Sequence, residues 1–207
     1  MTVHQDPFRE AREQSGVQNT EFNGEKIPFI LRLKELRKTV KDWQNFSSDH
    51  PFNVVPHSEE NLRSMRQIPI EMDPPEHTDY RALVEPFFKR PTETEYMLDM
   101  AEMVHSMVAD ALSKEEMDAV YEFALPLQCR ALARLLHVPE SESEVWEAWG
   151  LHALTEGSGL ESYTAEQFKK AEKEPGEDFF SMLNGVDFRG RKLTFEEKQG
   201  IANVTFA

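Results

Sequence analysis

The sequence predicts a mainly α fold with a small β-hairpin near the N-terminus. Three observations carry that prediction. From residue 33 onward, apolar residues recur every three to four positions in successive stretches, the period of a helix that buries one face. One short region, residues 17–31, instead has two runs flanking Asn23-Gly24, a dipeptide suited to the two-residue hairpin turn that needs positive φ at both positions. The helical stretches are separated by proline and glycine breaks, among them Arg90-Pro91-Thr92, Val138-Pro139 and Glu174-Pro175-Gly176.

Composition narrows the class. The chain has 207 residues, 39% hydrophobic and 29% charged, enough for one large core or two small ones. Its net charge of −15 makes it a poor partner for nucleic acid or an anionic membrane surface. Cys129 is the single cysteine, so there is no disulfide framework, and a reducing compartment fits. No run of about 18 apolar residues and no basic-then-apolar start is present. The expectation is a soluble, cytoplasmic chain without internal repeats, read as a single domain over residues 1–207.

The elements follow in order. Residues 7–14 suit a short polar helix capped by Asp6, with Pro7 at its first position and Gly16 ending it. Residues 17–22 and 25–31 form the hairpin, with Pro28 restricting the second run to an edge. Residues 33–46 read as a helix with Leu36, Val40 and Trp43 on one face. Residues 52–70 read as loop, with one helical turn suggested over 58–65. Thr92 is expected to cap a helix reaching Leu112, with Met97, Met100, Val104, Met107, Val108 and Ala111 as a core stripe. Residues 118–137 read as a helix in which Pro126 implies a kink or a later start. Residues 139–154 make a third helix, with Trp146 and Trp149 on related faces, and Gly157-Ser158-Gly159 a loop. Residues 164–173 read as short and charged, 178–183 as a short helix, and 188–191 as a turn. Thr194-Phe195-Glu196-Glu197 caps a last helix, apolar through Ile201, Val204 and Phe206.

Residues 71–88 organise the rest. Asp73 is suited to capping a helix, and Pro74 and Pro75 to early helical positions. The four-residue step from His77 to Arg81 places both side chains on one face. Together they fit an anion site, the guanidinium fork taking a carboxylate and the imidazole adding a donor. The same spacing equally suits a surface histidine and an arginine paired to Glu76, Asp79 or Glu85. Leu83, Val84, Phe87 and Phe88 form an apolar stripe, and Pro86 predicts an end or kink near Glu85.

The run Asp73-Pro74-Pro75-Glu76-His77-x-x-x-Arg81 resembles the C helix of bacterial-type cytochrome P-450 monooxygenases. The resemblance implies that His77 and Arg81 hold the propionates of haem b. It reaches further along the chain: Phe46-Ser47-Ser48 with Pro51-Phe52 is similar to the segment after the family's B helix. Ala124-Leu125-Pro126-Leu127 and Leu135 to Glu140 resemble its E helix and the entry to its F helix. Leu193 to Glu197, leading into residues 201–207, resembles the start of its long I helix. By the same resemblance, Met65, Gln67, Val204 and Ala207 are candidate substrate contacts, each equally at home in a polar loop or plain core.

The departures are as informative. The family binds haem iron through a cysteine thiolate in a glycine-rich loop near its C-terminus, and that loop is absent here. Cys129 sits among Leu127, Ala131 and Leu132 and reads as a packed thiol. The family's acid–alcohol pair for proton delivery belongs after Ala207, and its later Glu-x-x-Arg pair is missing too. The resemblance therefore implies the N-terminal portion of the fold, ending within the I helix, with a catalytic half outside these residues. His4, His50, His57, His105, His137 and His152 show no tight metal-ligand spacing, and no phosphate loop or nucleophile elbow is found.

Two functions follow as expectations. In the first, the chain belongs to a haem monooxygenase. It would insert one oxygen atom into a small organic substrate, with electrons from NAD(P)H through a ferredoxin or flavin reductase. In the second, it is a non-enzymatic, truncated helical relative or interaction module without haem.

Overall fold

The computed structural model describes residues 6–22, 24–49, 65–151 and 159–206. The chain divides into two compact units, Met1–Asp49 and His50–Ala207.

In the first unit, α1 (Arg9–Gln14) is followed by an antiparallel hairpin of β1 (Val17–Phe22) and β2 (Glu25–Ile30), in register from Val17↔Ile30 to Phe22↔Glu25. Pro28 pairs with Asn19 in this two-stranded sheet, where every strand is an edge and a missing N–H is tolerated. Asn23 of the predicted turn lies outside the described residues, and Gly24 has φ +81°. Asp6 does not cap α1 at its N-cap position, Phe8. Its carboxylate instead accepts from the Phe8 N–H and pairs with Arg12. Gly16 is required: it has φ +73°, and an added Cβ would sit 2.5 Å from the Arg32 side chain. Arg32 uses that space to donate to the carbonyls of Arg12 (2.6 Å) and Glu13 (3.0 Å), the last turn of α1. The next helix, α2 (Leu33–Thr39), is shorter than the expected 33–46 and buries no residue. Leu36, Val40 and Trp43 are exposed.

The second unit is helical. It runs through α3 (Glu76–Lys89), a 3₁₀ turn (Arg90–Thr92), α4 (Thr94–Leu112), a π-helical turn (Val120–Ala124) and α5 (Leu125–Leu136). Then come α6 (Glu142–Glu147), α7 (Leu160–Lys173), α8 (Phe179–Gly185) and α9 (Phe195–Phe206). Pro126 lies at the start of α5, so of the two readings offered for residues 118–137 the later start is the one adopted. Pro86 does not end α3. Removing one N–H costs a single helical bond, while Leu83, Val84 and Phe87 of the same turns pack into the core and hold the backbone helical. Thr92 is not a cap either: its hydroxyl donates back to the Lys89 carbonyl, and α4 begins two residues later. The buried methionines of α4 are Met103 and Met107, whereas Met97 and Val108 are exposed, so the stripe is rotated from the one predicted. The third predicted helix is shorter, ending at Glu147 before a turn with Gly150 at φ +81°. Residues 152–158 lie outside the described set, as does the helical turn suggested at 58–65 apart from Met65.

Helix α7 starts at Leu160 rather than Thr164 and is amphipathic, burying Leu160, Thr164, Phe168 and Ala171. Asp178 caps α8 by accepting from the N–H groups of Phe180 and Ser181. The core joins Leu136, Phe179, Phe180, Leu183, Ile201 and Ala202, all nearly solvent-free, to a ring cluster. In that cluster Phe206 meets Trp146 edge-on at 5.0 Å, and Phe168 meets Phe180 at 5.1 Å. Helix α9 runs through this core, burying Gln199 to Asn203 and Phe206. Its start is a reciprocal capping box: the Glu197 N–H donates to Thr194 Oγ1 (3.2 Å), and the Thr194 N–H donates to Glu197 Oε2 (2.6 Å). Among the described residues, no helix is long and apolar enough to cross a membrane.

Candidate functional site

Helix α3 starts at Glu76 with Pro75 at its N-cap position, and no side chain caps it. The Asp73 contribution is its main-chain carbonyl, which accepts from the His77 N–H at 3.0 Å. From there the pitch fixes three faces. Tyr80 and Val84 are buried and anchor α3 to the core. Glu76 and Asp79 point to Arg189, whose guanidinium donates to Asp79 at 2.8 Å and lies 3.7 Å from Glu76. His77, half-buried, and Arg81, exposed, occupy the flank between core and solvent, one turn apart.

The carboxylates that would neutralise Arg81 locally are engaged elsewhere. Glu76 and Asp79 belong to Arg189, and Glu85 pairs with Lys89 at 3.2 Å. Neither Arg81 nor the His77 ring has a hydrogen-bond or ion-pair partner among the described residues. The arrangement is a cation one turn from an imidazole on one helical face, neither engaged by another described residue.

Behind them stands a polar cluster that periodicity does not reveal. The Tyr80 hydroxyl donates to Glu197 Oε1, and its ring stacks on Phe188 at 4.3 Å. Glu197 also accepts two bonds from Arg191 (2.8 and 2.6 Å) and one from the Thr194 N–H. The Arg191 fork, followed by the Tyr80 hydroxyl and the Thr194 amide, pulls the Glu197 carboxyl down to about 2. Burial, reinforced by the Glu197 charge, pushes the Tyr80 phenol up to about 12. The only sequence signal for this cluster was the capping box, which gave Glu197 a helix-start role and no link to Tyr80.

The remaining candidates are placed as follows. Gln67 is buried, and its side-chain amide donates to Asn203 Oδ1 of α9 at 3.1 Å. Next to it the Ile68 N–H donates to the Gly200 carbonyl at 3.2 Å. Gly200 permits this approach, since a Cβ there would lie 2.6 Å from the Arg66 carbonyl oxygen. Met65 and Val204 are half-buried, and Ala207 lies outside the described residues. The structure thus brings Gln67 onto α9.

Cys129 is buried in α5, and burial pushes its thiol up to about 11. A thiol so protonated and enclosed is unsuited to ligating iron. Among the described residues, no group of three His, Cys, Asp or Glu side chains is arranged to hold a metal ion. The donor set therefore fits the carboxylate edge of a haem and does not fit its iron.

No family model matches the chain. It is 28% identical over 185 residues to a probable cytochrome P450 127A1 of Sinorhizobium fredii, covering 83% of this chain and 43% of the relative. To erythromycin C-12 hydroxylase of Saccharopolyspora erythraea it is 27% identical over 185 residues, covering 81% and 45%. A solved structure described as that of a carbohydrate active P450 superimposes with a TM-score of 0.89 at 41% identity, over 98% of this chain and 54% of that one. The fold is that of the helical part of a haem monooxygenase scaffold, with its small hairpin. The chain belongs to the cytochrome P450 family over the part of the fold it spans, about half the length of the curated relatives it matches.

Proposed function

We propose that these residues form the N-terminal part of a single haem-thiolate monooxygenase domain, with His77 and Arg81 holding the propionates of haem b. One observation carries the reading. The two side chains share a flank of α3 and have no side-chain partner among the described residues, while Glu76, Asp79 and Glu85 are each paired to another cation. In their places, Arg81 would supply a planar, permanently charged fork and His77 a neighbouring donor. Bound haem would supply the oxidation chemistry, insertion of one oxygen atom from O₂ into the substrate and reduction of the other to water. This chain's residues would hold and orient it. The iron-ligating thiolate would come from outside these 207 residues, because Cys129 is enclosed in α5.

Electrons would arrive from NAD(P)H through a ferredoxin or flavin reductase, in the cytoplasm. The substrate is a small organic molecule, and within that class we favour a carbohydrate, on the strength of 41% identity to the carbohydrate active P450. Gln67, Met65, Val204 and Ala207 are the substrate-facing candidates, supported at Gln67 by its bond to Asn203 of α9.

The test is haem retention. In the haem-loaded protein carrying this chain, Arg81→Ala combined with His77→Ala speeds transfer of haem to an apomyoglobin acceptor by about tenfold or more, the scale of two lost charge-assisted bonds. Unchanged transfer would remove the propionate role.

A further inference from the structure

The first turns of α3 are tied to the segment 188–197 by their side chains. Asp79 and Glu76 meet Arg189, and Tyr80 meets Glu197, and among the described residues these are the side-chain polar bonds of Glu76, Asp79 and Tyr80. Positions 77 and 81 lie three residues before and one residue after Tyr80. Any rotation or slide of α3 about that side chain therefore moves both. Tyr80 is itself tightly enclosed at 5% exposure, its ring stacked on Phe188 and its hydroxyl held by a carboxylate with four donors: two from Arg191, one from the Thr194 amide and one from Tyr80. Glu197 cannot easily drift, because it closes the capping box that starts α9.

We propose that Tyr80 is a positioning residue for the His77–Arg81 pair, with Glu197 and Arg191 fixing its hydroxyl and so locking the anion-holding flank of α3 to the start of α9. The proposal rests on the haem-anchoring reading of His77 and Arg81. It goes beyond that reading by assigning function to three residues that contact no ligand. Neither side chain of the pair is held by a partner among the described residues, so their placement depends on how firmly the helix beneath them is fixed. Tyr80–Glu197 is the bond that fixes it nearest to both. A tyrosine that only adds stability would slow unfolding without caring whether the pair is present.

That difference is measurable as a double-mutant cycle on haem release from the haem-loaded protein carrying this chain, with excess apomyoglobin as acceptor. Tyr80→Phe keeps the ring and its stacking and deletes only the hydroxyl. It is expected to speed release about fivefold when His77 and Arg81 are present, the scale of coupling between groups in one network. In the His77→Ala/Arg81→Ala background the same change adds less than about twofold. Glu197→Gln, which weakens the carboxylate's hold on Tyr80, reproduces the pattern and serves if Tyr80→Phe melts at a lower temperature. An equal acceleration by Tyr80→Phe in both backgrounds overturns the proposal and leaves the haem-anchoring reading intact. No acceleration by His77→Ala/Arg81→Ala itself overturns both.

Discussion

Helix α2, with the residues that follow it, and helix α9 meet opposite fates. Leu36 in α2 and Val40 and Trp43 beyond its last residue recur at the helical period, yet α2 buries nothing and Val40 is 69% exposed. On α9, the polar residues Gln199 and Asn203 are as buried as Ile201 and Ala202. What separates them is partnership, not hydropathy. Gln199 donates to the Glu161 carbonyl and accepts from Thr164, and the Asn203 side-chain oxygen accepts from Gln67, so burial leaves Gln199 paired at both ends and Asn203 with only its Nδ2 group unpartnered among the described residues. The stripe of Leu36, Val40 and Trp43 is exposed and meets no comparable surface among the described residues of its own unit. Spacing identifies a helix; contacts between segments 35 to 136 residues apart decide whether it becomes core.

The contrast breaks most sharply under truncation of side chains. Phe179→Ala or Leu136→Ala, both at essentially zero exposure, is expected to cost about 3–5 kcal/mol in urea unfolding. Val40→Ala is expected to cost about 0.5 kcal/mol or less. Comparable losses would mean that α2 is core after all.

A smaller effect sharpens the account at the start of α9. In the folded chain the Glu197 carboxyl sits near 2, against an ordinary value of 4.5, held there first by Arg191. Its folded value is depressed, so its contribution is present above pH 4.5 and is lost as pH falls from 4.5 toward 2. Glu197→Gln should flatten the acid limb of stability in that window and leave the neutral-to-alkaline limb alone. An unchanged acid limb would show that the carboxylate does not hold the cluster.

Much of this was legible in the sequence. Asn-Gly with its flanking runs located the hairpin, the Thr194–Glu197 box located the start of α9, and Asp178 located that of α8. Boundaries failed where a local rule met tertiary packing. Of the end or kink expected at Pro86, the end is not taken, because Val84 and Phe87 are fixed in the core, and Thr92 turns back to Lys89 instead of capping α4. Local acids were equally plausible partners for Arg81 in the sequence, and only the structure assigns them to Arg189 and Lys89. The Tyr80–Glu197 bond spans 117 residues and leaves no mark on either segment's periodicity.

The proposed role of His77 and Arg81 is to hold the edge of a haem whose iron Cys129 does not ligate. The most direct measurement is the reduced, carbon monoxide-bound absorption spectrum of the 207-residue chain with added haem, taken with and without Arg81→Ala. The account predicts a spectrum without the thiolate-type band, because Cys129 is enclosed with its thiol pushed to about 11, and weaker haem retention when Arg81 is removed. A thiolate-type band abolished by Cys129→Ser would contradict it.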